Sequence, residues 1–308
     1  MRDADATTRL SIRPYEPADQ AAVLALVDAD LVTGQPSATP EMLAEALAGR
    51  SPVDTQLWQE LAAPATDVAR DAHGRVRGAV SYAPRPSDGA GFVLWLHGRE
   101  EPAVLSALVG HALARLGPRR TVHAFEYASA LGLGLAGLPV RHRHATRAAL
   151  EEAGFAGRDL WRYMHAALPI DGLPRAPRCR VEDSTDPPGR RLTVRGGEGD
   201  TELWGEALVR LPVAGIGLLC WLGVEEPHRR RGLGAGLLGS ALGQLAELGA
   251  TEAILYVDDD SPDDDPEYGR GAAKRLYDRT GFAEVDRLWS FTRRSGPGSP
   301  PGGALEAG

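Results

Sequence analysis

The residues with the clearest chemical use lie between Leu222 and Leu238. A hydrophobic strand ends on Leu222-Gly223-Val224, and a turn carries Arg229, Arg230 and Arg231. Gly232-Leu233-Gly234-Ala235 then opens a helix whose apolar face includes Leu237, Leu238, Leu242 and Leu245. The first N–H groups of a helix have no partner within it, and its dipole is positive at that end. A strand, loop and helix in this order therefore form a built-in pyrophosphate site. Gly232 and Gly234 let the backbone approach an anion with no Cβ in the way, and neighbouring arginines add charge-assisted hydrogen bonds. The segment lacks the Gly-Lys-Ser/Thr of a Walker loop. It also lacks the βαβ unit with a ribose-binding acid that a dinucleotide fingerprint needs.

A second concentration of chemistry is acidic. Asp258, Asp259, Asp260, Asp263, Asp264, Asp265 and Glu267 follow a strand with no base among them. Such a cluster attracts and orients a cation and favours its protonated form; otherwise it is a solvated loop. Its spacing breaks the EF-hand pattern at Pro262. His142-x-His144, between Arg141 and Arg143, reads as a basic surface rather than a metal site, having no third ligand. Cys220 reads as a small hydrophobe on a strand, and no nucleophile elbow is present.

The chain that must position these groups has 308 residues, 34 Lys plus Arg, 42 Asp plus Glu and a net charge of -8. Setting the acidic run aside leaves 35 acidic against 34 basic residues, so the charge gives no hint of nucleic acid as an obligatory partner. The length suggests two domains. No apolar run reaches the ~18 residues of a membrane span, and Met1 to Thr8 lacks the form of a signal peptide. With only Cys179 and Cys220, a disulfide framework is not expected, cysteine zinc sites are excluded and a cytoplasmic location is expected.

Periodicity predicts a strand at Ile12 to Pro14, a helix capped by Asp19, and a second helix capped by Thr39 with Pro40 in its first turn. Strands follow at 66–71, 75–83, 92–97 and 121–127, helices at 103–116 and 146–153, and a strand at 159–167. Residues 169–190 read as a Pro/Gly-rich linker. The domains are expected at 1–168 and 191–294. In the second, strands near 191–195, 202–210 and 217–224 precede a helix at 232–248, a strand at 253–257, a helix at 271–279 and a last strand at 286–293. Residues 295–308 read as a disordered tail. The halves repeat: Gly154-Phe155-Ala156 with Asp159 and Trp161 matches Gly281-Phe282-Ala283 with Asp286 and Trp289.

Arg229-x-x-Gly232-x-Gly234 after a Val-ending strand resembles the acyl-CoA motif of the GNAT (GCN5-related N-acetyltransferase) superfamily. Ala273-x-x-Leu276-Tyr277-x-x-x-Gly281-Phe282 is similar to its downstream helix. Together they span about Ile216 to Arg294, and Ile12 to Leu168 resembles the same fold without the site motifs. The resemblance implies an α/β fold with a mixed sheet, in two tandem GNAT-like domains of which the second lacks the usual first strand and helices. It implies acetyl-CoA as acyl donor and no metal. The backbones of Leu222, Gly223 and Val224 would meet the pantetheine arm and the thioester carbonyl. Those of Arg229 to Ala235 (Arg230, Arg231, Gly232, Leu233 and Gly234 between them) would hold the pyrophosphate, and Arg270, Ala273 and Lys274 would line its far side. Tyr277 would donate a proton to the leaving thiolate, worth roughly 10²–10⁴-fold.

The first copy departs from this pattern: Arg99-Glu100-Glu101-Pro102 stands where the glycines should be, and Leu150 where Tyr277 should be. It is expected to bind no coenzyme and to serve as a scaffold or as a wall of the acceptor site that the second copy is missing. The general base is open, with Glu206, Glu225 and Asp258 as candidates and Glu206 carried forward; a bulk-water route is the alternative. Asp258, Asp259 and Asp260 are the candidate contacts to a small cationic amine acceptor. The leading reading is an acyl-CoA-dependent N-acyltransferase working by direct transfer in a ternary complex, with no membrane partner and a homodimer compatible. The alternatives are a GNAT-like transferase using aminoacyl-tRNA and a non-catalytic coenzyme-binding or interaction module.

Overall fold

The structure, a computed structural model, describes residues 10–51, 55–118, 120–185, 188–258 and 270–294, with the backbone alone at 270–273. In the first half, β1 (Ser11–Pro14) leads to α1 (Gln20–Ala29), α2 (Pro40–Leu47) and α3 (Thr55–Gln59). Then come β2 (Ala65–Arg70), β3 (Val76–Pro84), β4 (Gly91–His97), α4 (Pro102–Leu116), β5 (Val122–Ala124), β6 (Leu138–Pro139), α5 (His144–Glu152) and β7 (Ala156–Ala167). The second half runs β8 (Arg180–Thr185), β9 (Pro188–Gly196), β10 (Glu202–Arg210), β11 (Ile216–Val224), α6 (Leu233–Glu247), β12 (Glu252–Asp258), α7 (Arg270–Arg279) and β13 (Ala283–Arg293). No helix among the described residues is long and apolar enough to cross a membrane.

Local chemistry accounts for most boundaries. Thr39 accepts from the N–H of Met42 at 3.2 Å and Pro40 follows it, which starts α2. Asp19 does not cap α1 through its side chain. Its carboxylate instead accepts from Glu16 N–H and from the Arg13 guanidinium, closing the short 3₁₀ turn before the helix. Gly154 and Gly281, both at φ +87°, stop α5 and α7 in the same way, and here only glycine is free of strain. The strand expected at 121–127 ends at Ala124 because Phe125 turns left-handed.

All the strands join in one sheet, in the order β1-β2-β3-β4-β5-β13-β7-β12-β11-β10-β9-β8, with β6 paired to β13. The order is symmetric about its centre and contains an exchange. The last strand of the second half, β13, lies beside β5 of the first half, and the last strand of the first half, β7, lies beside β12 of the second. The two exchanged strands pair with each other antiparallel from Ala156 to His165. The halves at 1–168 and 191–294 are thus interlocked rather than side by side. A fragment from Asp171 to Arg294 would lack β7 and leave β12 with one bare edge. It is expected to be insoluble or unfolded by circular dichroism, whereas co-expression with residues 1–168 should restore a soluble pair.

The segment read as a linker is more structured than expected. β8 pairs antiparallel with β9 from Arg180↔Thr193 to Thr185↔Pro188. The second copy therefore has its first strand, and what it lacks is the set of helices between its first two strands. The sequence conceals β8 because it is an edge strand exposed along nearly its whole length, so no polar and apolar alternation marks it. Before β8 the chain lies on α6: Ala176 N–H donates to Gly236 O and Ser240 Oγ. A Cβ at Gly239 would collide with the Pro174 carbonyl, so a bare helix face is needed there.

Two apolar layers cover the sheet of the second half. On one side α6 and α7 pack Leu238, Leu242, Leu245 and Tyr277 against Ala207, Val209, Leu219 and Val257. On the other side, loops of the first half pack Val32 and Leu133 against Ile216, Leu218, Ile254 and Tyr163. These loops are pinned by two tyrosines with stacked rings, 5.5 Å apart. Tyr256 OH donates to Leu133 O at 2.7 Å and Tyr163 OH to Thr33 O at 2.8 Å. Gln35 bridges them, donating to Tyr163 OH and accepting from Leu133 N–H. The face that in the first half is covered by its own helices is here covered by the other half.

Candidate active site

The site is built where β11 leaves its neighbour. β11 pairs in parallel with β12 only from Ile216↔Glu252 to Leu219↔Leu255, while β12 continues to Asp258 alongside β7. On its other edge β11 stays with β10 as far as Gly205↔Val224. A wedge therefore opens between β11 and β12 from Cys220 onward. Glu225 N–H donates to Trp204 O, which fixes the alternation along this edge. The groups of Gly223 face β10, and the N–H and C=O of Leu222 and Val224 face the wedge. Arg229 Nε reaches back to Val224 O at 2.9 Å, leaving the Leu222 and Val224 N–H groups directed into the opening.

Above the wedge stands the start of α6. Arg230 and Gly232 are both left-handed, at φ +60° and +79°, and Gly232 is the N-cap, with no side chain capping the helix. Among the described residues, no backbone partner is found for the N–H groups of Arg230 through Ala235; the first bond in the series is Gly236 N–H to Gly232 O. Six successive amides at a positive helix end are an anion cradle. A Cβ placed on Gly234 would stand 3.8 Å from both Val224 Cγ2 and Leu276 Cδ2, so this glycine floors a gap between the end of β11 and α7. The residues present thus fit a phosphate-bearing carrier whose extended arm lies along Leu222 and Val224.

Tyr277 lies on α7, 7% exposed, edge-to-face with Phe282, in the same apolar cluster as Leu222 and Leu276. Burial pushes its hydroxyl up to about 12, so it keeps its proton at neutral pH, as a proton donor at this position would have to. Lys274 stands one turn before it, half-buried. The side chains of Arg270 and Ala273 and all of Asp259, Asp260 and the acids to Glu267 lie outside the described residues. Asp258 is the last residue of β12, opposite Trp161.

Glu206 sits directly across from Gly223 on β10, on the sheet face away from α6. Its carboxylate accepts from Arg191 Nη1 at 2.7 Å, so it is an ion-paired group rather than a free base. On the same face Trp221 is 54% exposed and folds toward Gly223, where a Cβ would meet its indole Nε1 at 3.0 Å. Cys220 is the extra residue of a bulge, since Leu208 pairs with Trp221 and Val209 with Leu219. Trp221 and Arg210 were not singled out in the sequence. The signal was the period of two, since Arg210 is four residues from Glu206 and shares its face. His142 bonds Asp286 through Nδ1 at 2.7 Å, which gives it a structural partner.

In the first copy the same wedge exists but is filled. β4 and β5 pair only from Gly91 to Val93. Beyond that, Arg143 Nη2 donates to Leu96 O at 2.8 Å, and its Nε donates to Glu100 at 2.7 Å. Glu100, left-handed at φ +53°, accepts from the N–H groups of Ala145 and Thr146 at the start of α5. The carboxylate thus ties the loop before α4 to the next helix, across the gap that Gly234 leaves open in the second copy. Asp30 and His97 complete this buried group, Nδ1 to Oδ2 at 3.0 Å. Although burial raises Asp30, His97 and Arg143 outweigh it and hold the carboxyl below its ordinary range. Leu150, at the position of Tyr277, is fully buried.

No known family profile matches the chain, and no curated protein matches it by sequence. Solved structures do. A GCN5-related N-acetyltransferase from Sphaerobacter thermophilus aligns at TM-score 0.57 and 18% identity, over 94% of this chain and 97% of that one. A tandem GNAT protein from the clavulanic acid biosynthesis pathway aligns at TM-score 0.59 and 18% identity, over 94% and 100%. A GNAT-family acetyltransferase from Colwellia psychrerythraea aligns at 0.54 and 11%, over 92% and 100%. The fold is that of the GNAT acetyltransferases. It is moreover their tandem form, present along nearly the whole chain.

Proposed function

We propose that this chain is an acyl-CoA-dependent N-acyltransferase, moving an acetyl group from acetyl-CoA to a primary amine by direct attack in a ternary complex, with the second copy as its catalytic half. The observation that carries the reading is the row of amides from Arg230 to Ala235, without a backbone partner among the described residues, beside a strand edge left open in the second copy, where the first copy's wedge is filled. The bound donor supplies an activated acyl thioester. Toward it the chain contributes four things: the amides hold phosphates, the N–H groups of Leu222 and Val224 orient the arm and polarise the carbonyl, Tyr277 gives a proton to the departing sulfur, and the apolar cluster around Leu222 and Leu276 excludes water.

The amine would approach from the face away from α6, between Trp221 and the loops of the first half. The acids from Asp258 onward would hold the cationic end of the acceptor, and bulk water, or Glu206 once parted from Arg191, would take its proton. Calorimetric titration with acetyl-CoA is expected to give one site per chain, and coenzyme release against a panel of amines should identify a turned-over acceptor. Absence of any heat with acetyl-CoA at millimolar ligand would end this reading. Binding without turnover of any amine would favour the non-catalytic coenzyme-binding module.

A further inference from the structure

On the acceptor face, level with the wedge, stands a cation with no carboxylate partner among the described residues. Arg210 ends β10, and alternation puts it with Glu206 and Leu208 on the side away from α6, since Ala207 and Val209 pack under that helix. Arg191, the nearest other cation on this face, is neutralised by Glu206 at 2.7 Å. Among the described residues Arg210 has no such partner. Its Nη1 is buried, and no hydrogen bond reaches it among the described residues. A buried guanidinium N–H left unpaired is costly, and it is retained where a ligand completes it.

The position of this charge matters as much as its isolation. Val209 is opposite Leu219, the last residue of β11 that still pairs with β12. Arg210 is therefore level with the apex of the wedge, one strand away, about 4.8 Å in the sheet. Its neighbours agree with this. Burial raises the Cys220 thiol to about 11, although the residue as a whole is exposed, and the charge of Arg210 opposes that rise. The same charge acts on Tyr256, whose hydroxyl is bonded to the first-half loop at Leu133. Arg210, half-buried and near Cys220 and Tyr256, thus lies three residues along β10 from Ala207, the partner of Leu222, roughly 10 Å from where the thioester carbonyl would sit and within reach of the far end of an amino acid held there.

We propose that Arg210 is the specificity residue for a carboxylate on the acceptor, so that the substrate class is a small amino acid rather than a simple amine or polyamine. The inference rests on the transferase reading above and narrows it. A single guanidinium, with the only other nearby cation already paired, matches one planar monoanion and would leave a phosphate dianion under-compensated. The amine end would lie toward the wedge and the carboxylate toward β10.

The test compares amino acids with their own carboxamides and with their phosphonate analogues. It uses the full-length protein, by coenzyme release and by titration into the protein loaded with coenzyme A. In the wild type the acid should exceed its amide by roughly 10- to 100-fold in kcat/KM. Arg210→Gln should remove most of that advantage by raising KM for the acid, with the Kd for acetyl-CoA unchanged, and Arg210→Lys should keep part of it. Equal use of acid and amide by the wild type, a preference that survives Arg210→Gln, or a preference for the phosphonate would each overturn the proposal. The first of these needs no variant, so it stands even if Arg210→Gln does not fold. A wild type that binds acetyl-CoA yet ignores the carboxylate sinks this inference alone; a wild type that fails to bind acetyl-CoA sinks the transferase reading beneath it.

Discussion

Gly234→Glu is expected to leave the protein folded and to weaken acetyl-CoA binding by 100-fold or more, on the order of 2.7 kcal/mol. The two effects separate because of the space at this position. A Cβ meets Val224 and Leu276 only at 3.8 Å, an ordinary contact, so the fold has no reason to yield. The rest of the side chain must extend into the gap, where it brings a negative charge to unpaired amides. A carboxylate there caps α6 from within, which stabilises a helix end by about 0.3–1 kcal/mol, and occupies the place of the phosphates. A melting temperature equal to or above the wild type, together with lost affinity in calorimetry, is the expected pair of results. Gly234→Ala should cost only a few-fold. Retained affinity in Gly234→Glu would show that the donor does not use this helix.

Tyr277→Phe carries the second large effect. The ring packs with Phe282 and is kept by the substitution, so donor affinity should stay within two-fold while kcat falls by roughly 10²–10⁴-fold. The pH dependence has a definite sign. A phenol held at about 12 is protonated throughout the range in which the assay is run, so Tyr277 contributes no alkaline limb below about pH 10. Any limb seen there belongs to the amine or its base, and it should persist in Tyr277→Phe at the lower rate. The same shift works on stability. The folded value lies above the unfolded one, near 10, so the stabilisation is complete below pH 10 and is lost as the pH rises toward 12. A Tyr277→Phe enzyme with unchanged kcat would assign the sulfur's proton to another group.

What the sequence made legible was local. The glycines at 232 and 234, the arginines before them and the capping of α2 are decided within a few residues, and the structure has them where the spacing predicts. The repeat at Gly154 and Gly281 was also visible, because both positions need the same left-handed φ. The exchange of β7 and β13 was not visible. Each strand has the same flanks and a similar pattern, and nothing in its own residues says which half's β5 or β12 it will lie against. β8 was missed because an exposed edge carries no alternation. Glu206 was legible as an acid on the strand before β11, but its partner Arg191 is fifteen residues away in the chain and became evident only once β9 and β10 were paired. Arg210 escaped for the reverse reason: it stands out by lacking a partner, which only three dimensions can reveal.

The crossing of the two closing strands also bears on how such a chain can change over generations. The copy whose wedge is filled still cannot be trimmed without loss, because it owns β7, which lies beside β12 of the other copy, and receives β13 in return. Substitutions that break the bonds of β7 are therefore expected to unsettle both halves at once, so the pairing of strands ties the fate of one copy to that of the other.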